Sequence, residues 1–100
     1  MTLEVKVEGA NVLATLNGRL DTAAAPQFSR DMEHLIDNAD KTITLDCAGL
    51  EFISSSGLRL FLSLRKETIA KGGKVIIKDV NAEIKQVFTI TGFYSLFEFC

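Results

Sequence analysis

The run Ser54-Ser55-Ser56-Gly57 is where this sequence could do chemistry. It lies between a β-branched apolar stretch, Ile43 to Cys47, and a long apolar-periodic one ending near Lys71. A serine hydroxyl is a nucleophile, a phosphate acceptor or a cap, and its surroundings decide which. A nucleophile needs a base within reach, usually histidine. The one histidine, His34, falls on the polar side of a different predicted helix, and no G-x-S-x-G elbow is present. An enzyme working through Ser56 and His34 is therefore not expected. A helix start is a better fit. It exposes backbone N–H groups that one hydroxyl satisfies as a cap. The same donors and the positive end of the helix dipole favour a phosphate. The unit is suited to presenting a serine that carries one.

The element carrying these serines has a recognisable sequence. L-D-C-A-G-L-E-F-I-S-S-S-G-L-R-L-F-L-S-L-R-K resembles the signature of STAS domains, in particular the bacterial anti-sigma factor antagonists. The family pattern is a strand ending in Asp, a loop with an apolar pair, then Asp-Ser-Ser-Gly-Leu and an apolar helix. Asp46, Leu50, Phe52, Ser55, Ser56, Gly57 and Leu58 match it. Upstream, Gly18, Leu20 and Asp21 match the family's Gly-x-Leu-Asp. One position departs: where the family commonly has Asp two residues before the phosphorylated serine, this chain has Ser54.

The resemblance implies a STAS fold, an α/β mixed sheet with helices packed on it. It implies phosphorylation at Ser56, with Ser55 and Ser54 as alternates. It also implies a partner surface of Asp21, Ser54, Ser55, Ser56, Gly57, Arg59, Ser63 and Lys66. Asp21 would lie beside the serine loop; read from the residues alone, Asp21 or Thr22 caps the following helix. The implied partners are a serine-kinase anti-sigma factor and a PP2C-type phosphatase. The unphosphorylated form would bind the kinase and release a sigma factor. The alternative is a STAS subunit of another assembly, such as a lipid-transport ABC system, working without phosphorylation.

The elements that must position these residues read in the order β-β-α-β-α-β-α-β. Leu3 to Glu8 alternates, Gly9-Ala10-Asn11 turns, and Val12 to Leu16 forms the second strand, ended by Asn17-Gly18. Pro26 fits the first turn of a helix whose apolar face is Phe28, Met32, Leu35 and Ile36. Gln27, Arg30, Asp31, Glu33 and His34 face away. Asn38 to Lys41 is a polar turn. The strand Ile43 to Cys47 leads through a short loop to a helix starting near Gly57. Leu58, Leu60, Phe61, Leu62, Leu64 and Ile69 face its core side. Arg59, Ser63, Lys66 and Glu67 face out, and Arg65 lays its stem along the core edge with its head in water. Gly72-Gly73 ends this helix. Val75, Ile76 and Ile77 are continuous, which points to a strand covered on both faces, or nearly so. Asn81 caps a third helix bearing Ile84, Val87 and Phe88 and ending near Gly92. Phe93-Tyr94 is a loop, and Leu96 to Phe99 is a last short strand or an apolar tail.

Composition bounds the rest. One hundred residues, 47% hydrophobic and 24% charged, make one globular domain, 1–100. A net charge of −2 with no basic cluster beyond Arg65-Lys66 gives no reason to expect nucleic-acid binding. No metal-ligand cluster or phosphate-binding loop is visible, so no cofactor is expected. Two cysteines, Cys47 and Cys100, make no disulfide framework and suit a reducing cytoplasm. The alternating start M-T-L-E-V-K is not a signal peptide, and no apolar run has the length of a membrane span. A cytoplasmic protein is expected.

Overall fold

The computed structural model describes residues 1–100. In chain order the elements are β1 (Thr2–Glu8), β2 (Asn11–Leu20), α1 (Ala25–Asp31), α2 (Glu33–Ile36), β3 (Thr42–Ile53), α3 (Ser55–Lys71), β4 (Lys74–Lys78), α4 (Ala82–Ile90) and β5 (Glu98–Phe99). A 3-10 turn, Tyr94–Leu96, precedes β5. The five strands lie in sequence order in one sheet. β1 and β2 form an antiparallel hairpin, and β2 through β5 are parallel.

This topology explains which face carries the core. Each parallel connection is a crossover, and such crossovers are right-handed. When every crossover steps the same way, every helix lands on the same face. The burial follows: Val12, Ala14, Leu16, Ile43, Leu45, Cys47, Val75 and Ile77 are buried on the helical face. Thr44 and Ile76, which alternate with them, are only half-buried, and Leu13 is exposed. The apolar run at Ile76 therefore does not mark a strand covered on both sides; the opposite face of the sheet has no helix over it.

Five phenylalanines link the helices and the last strand across the core. Phe28 of α1 and Phe61 of α3 have ring centroids 6.1 Å apart, and Phe61 and Phe88 of α4 are also at 6.1 Å. Phe88 meets Phe97 edge-on at 5.6 Å, and Phe99 of β5 likewise at 5.4 Å. Edge-to-face rings at such spacing add about 0.5–1.5 kcal/mol each beyond their buried area.

Several elements differ from the expected bounds. The first helix is broken at Met32 into α1 and α2. The bonds Met32 N–H to Phe28 O and Ile36 N–H to Met32 O, both 2.9 Å, carry the apolar face across the break. On α3, Thr68 is buried and Ile69 is exposed, the reverse of what hydrophobicity predicts. Thr68 can occupy the core because its hydroxyl donates to Arg65 O at 2.8 Å. The Arg65 head is at the surface but not free: Nε donates to Leu96 O at 2.6 Å in an exposed bond that ties α3 to the 3-10 turn. The last strand holds only Glu98–Phe99, and Leu96 is exposed. Asn81 caps α4 as expected, accepting from Ile84 N–H at 2.8 Å, and its Nδ2 also donates to Leu50 O at 3.2 Å.

Cys47 lies in the core and Cys100 is exposed. Burial pushes the Cys47 thiol from 9.0 up to about 12, with a smaller contribution from the Asp46 carboxylate. Folded Cys47 therefore keeps its proton where the unfolded chain has lost it. Stability from this group is constant below pH 9 and falls as pH rises from 9 towards 12. Denaturant titrations should show that Cys47→Ala flattens the alkaline fall in stability relative to the native sequence. A thiol reagent at neutral pH should modify Cys100 and leave Cys47 untouched until the chain unfolds.

Candidate functional site

The site lies at the C-terminal ends of β2 and β3, the edge of a parallel sheet where ligands and partners are usually met. Both strands run further than their sequence patterns indicate. β2 continues through Asn17-Gly18 to Leu20. β3 does not stop at Cys47 but continues to Ile53, through the stretch expected as a loop. The reason lies in the register. Thr15 pairs with Asp46, but Leu20 pairs with Ile53, so seven steps along β3 match five along β2. The two extra residues are bulges, between Asp46 and Gly49 and between Leu50 and Phe52. Each bulge breaks strict alternation and turns side chains. They return Leu50 and Ile53 to the core and leave Phe52 exposed.

The ladder then hands over to α3. Ser54 N–H donates to Leu20 O at 2.8 Å, one step past the last strand pair. Ser54 is extended (φ −87°, ψ 169°) and its Oγ accepts from Gly57 N–H at 3.1 Å. It is the N-cap, so α3 begins at Ser55, two residues earlier than expected. The position where the family has Asp is thus a capping position, and Ser and Asp both serve there. Leu58 N–H bonds Ser54 O at 2.9 Å. The N–H groups of Ser55 and Ser56 are left as first-turn donors with no intrahelical acceptor. Ser55 is exposed and Ser56 half-buried.

Gly57 is not at the surface; it is the buried contact by which α3 sits on the strand ends. A Cβ there would lie 2.7 Å from Leu20 Cγ and 3.0 Å from Ile53 Cγ1. Asp21 follows Leu20 directly and is half-buried. Its Oδ1 accepts from Ala24 N–H at 2.9 Å, and its carbonyl accepts from Ala24 and Ala25 N–H at 3.2 and 3.1 Å. It fixes the turn before α1, whose N-cap is Ala24 with no side-chain bond.

Arg59, Ser63 and Lys66 are all exposed. With Ser56 they are spaced i, i+3, i+7 and i+10, so the four lie along one face of α3. Ser63 Oγ donates to Arg59 O at 3.0 Å. His34 is exposed on α2, a different element, and lines a groove with Leu3, Val5, Val7 and Asp31. Asp46 sits mid-strand, its Oδ1 accepting from Ala48 N–H at 3.1 Å.

Sequence reasoning missed one feature of this end of the sheet. Arg19 and Phe52 are paired across β2 and β3, and the Arg19 guanidinium lies 4.6 Å from the Phe52 ring centroid. Both are exposed. Arg19 lies inside the Gly-x-Leu-Asp match and Phe52 inside the apolar pair, but only the bulged register puts one over the other.

Residues 2–100 match the STAS domain model, and the chain belongs to that family. It is 30% identical over 92 residues to BtrV of Bordetella bronchiseptica, named provisionally as an anti-sigma factor antagonist, covering 92% of this chain and 78% of that one. The fold is similar to a provisionally assigned anti-sigma factor antagonist from Thermotoga maritima, with TM-score 0.86 at 20% identity over 97% of this chain and 84% of the other. It is also similar to SpoIIAA, described as an anti-sigma factor antagonist in its unphosphorylated form. The phosphorylated form of SpoIIAA, from Bacillus, gives TM-score 0.73 at 25% identity over 99% of this chain and 91% of that one.

The close seating at Gly57 gives a test of the architecture. Overpacking costs about 1–3 kcal/mol, against about 1 kcal/mol of helix propensity that alanine regains. Gly57→Ala should lower stability by about 1 kcal/mol net in urea unfolding. Ser54→Ala should cost about 1 kcal/mol through the lost cap, and Ser54→Asp should restore it.

Proposed function

We propose that this protein is an anti-sigma factor antagonist whose binding is switched by phosphorylation of Ser56. In the unphosphorylated form it binds a serine-kinase anti-sigma factor, and a sigma factor is released. The kinase transfers a phosphoryl group from ATP to Ser56 Oγ, which loses its proton, and ADP leaves. A PP2C-type phosphatase hydrolyses the phosphoserine and resets the protein. The names carried by the relatives support the first part of this reading.

The observation that carries the switch is the division of labour among the serines. Ser54 Oγ is engaged as the cap. Ser56 stands in the first turn, partly open, beside donors that the helix leaves unused. A phosphate there adds about −1.5 to −2 charges. The helix start tolerates it, worth about 0.3–1 kcal/mol at such a terminus, and Arg59 one turn on supplies a positive charge. The fold should therefore survive. The docking surface, in this reading Asp21, Ser54 to Ser56, the Arg59–Ser63–Lys66 face and the Arg19–Phe52 pair, would not keep its electrostatics; Gly57, expected on this surface, is buried beneath it. Asp21 adjoins the strand end that Ser54 bonds, so the new charge meets an acidic neighbour as well as the partner.

Intact-mass analysis and peptide mapping of protein from its native cells tests this. One phosphate should be found, on Ser56, and Ser56→Ala should lack it. Ser56→Ala should stay bound to its kinase partner in pull-downs, whereas Ser56→Asp should release it with an unchanged circular dichroism spectrum. Full coverage of residues 43–71 without phosphate under growth and stress would exclude the switch. Co-purification of a transporter ATPase in place of a kinase would then assign the chain to a transport assembly.

A further inference from the structure

The hairpin β1–β2 leaves β1 as a seven-residue edge of the sheet, paired on one side only. Its loop is Gly9-Ala10, and Glu8 faces Asn11. Gly9 alone in this loop has positive φ, at 60°, as a type II′ turn requires. Such a turn closes with Glu8 C=O accepting from Asn11 N–H. Hydrogen-bonded and non-bonded pairs then alternate along the hairpin. Thr2, Glu4, Lys6 and Glu8 turn their backbone groups towards β2. Leu3, Val5 and Val7 turn theirs outward to the free edge.

The side chains along this edge sort the same way. Leu3, Val5 and Val7 share the helical face, because they pair with the buried Leu16, Ala14 and Val12. Leu3 and Val5 are half-buried, and Val7 is 47% exposed. They line a groove together with Asp31 and His34. On the opposite face Glu4, Lys6 and Glu8 alternate in sign and are exposed, with Lys6 Nζ 3.1 Å from Glu8 Oε1.

We propose that β1 pairs with β1 of a second copy of this chain, antiparallel about a two-fold axis at Val5. The outward groups of Leu3, Val5 and Val7 restrict an antiparallel partner to a few registers. Centred on Glu4, the pairing sets Glu4 against Glu4. Centred on Lys6, it sets Lys6 against Lys6 and Glu4 against Glu8 twice. Centred on Val5, it sets Glu4 against Lys6 twice, Leu3 against Val7 twice and Val5 against itself. Centred on Val7, it sets Lys6 against Glu8 twice but leaves Val5 facing Gly9 and Leu3 without a partner on β1. Only the Val5 register pairs all of Leu3, Val5 and Val7 with one another on one side while opposite charges face on the other, and both kinds of cross-strand pair are favourable. Six backbone hydrogen bonds close it, two at each pair of outward-facing residues. The result is a continuous sheet of two copies with all helices on one face. The two serine ends are left open, because they stand at the C-terminal ends of β2 and β3, whereas the axis at Val5 lies beside Ala14 in the middle of β2.

Sedimentation equilibrium of the full chain, over micromolar to millimolar concentration, tests the pairing. The expected result is a mass that doubles with concentration. Amide exchange should show protection at Leu3, Val5 and Val7 that appears only at high concentration, while Glu4, Lys6 and Glu8 are protected throughout. Val5→Pro removes an outward N–H and leaves the hairpin ladder intact, so it should give a folded monomer. Glu4→Lys alone should weaken the dimer at least tenfold, and Glu4→Lys with Lys6→Glu should restore it. A monomer at every concentration overturns the proposal. So does a dimer indifferent to Val5→Pro and to the charge swap.

Discussion

The structure depends on one contact: the first turn of α3 pressed onto the ends of β2 and β3 at Gly57. With Leu20 Cγ and Ile53 Cγ1 standing where a Cβ would go, only glycine lets the helix come this close. The Ser54–Leu20 backbone bond and the Ser54 cap then fix where the helix begins. These few atoms set the height and rotation of Ser55 and Ser56 above the sheet edge. They also aim Phe61, one turn further on, between Phe28 and Phe88. The candidate site and the core are thus held by the same helix start, and a change in one is felt in the other.

Ser54 has a further electrostatic effect. An aspartate in its place would cap α3 equally well but would put a formal charge within the first turn. With serine the cap is neutral, and the nearest acidic group in sequence on the β2 side is Asp21, itself spent on the turn before α1. A phosphate on the first turn would therefore be the dominant negative charge at that end of the sheet. The proposed switch would act through one large change added to the single charge of Asp21, with Arg59 as its local counter-charge.

Much of this was legible in the sequence, and what was not has a physical reason. The element order, Asn81 as a cap, the buried Cys47 and the outward face of α3 all follow from short-range patterns. The second half of β3 was hidden because two bulges erase the alternation by which a strand is recognised. The Arg19–Phe52 pair was hidden with it, since a pairing partner cannot be read without the register. Thr68 and Ile69 exchanged roles because hydrophobicity ranks them by side chain alone. The Thr68 hydroxyl is satisfied by its own helix, and the wheel position decides the rest. The open face at Ile76 is a property of topology. A short apolar run cannot say on which side its crossovers will lie.

The aromatic core also determines what light can report about the molecule. There is no tryptophan and one tyrosine. Tyr94 stacks on Phe99 with ring centroids 4.6 Å apart, and Lys85 Nζ lies 5.6 Å from its ring centre. The only strong intrinsic chromophore is therefore attached to the β5 edge, beyond β4 from the serines. Its emission reads the docking of the last strand. A partner arriving at α3 would reach that signal by two routes only, through Phe88, the ring that touches both Phe61 and Phe99, or through the Arg65 bond to Leu96 in the turn that carries Tyr94.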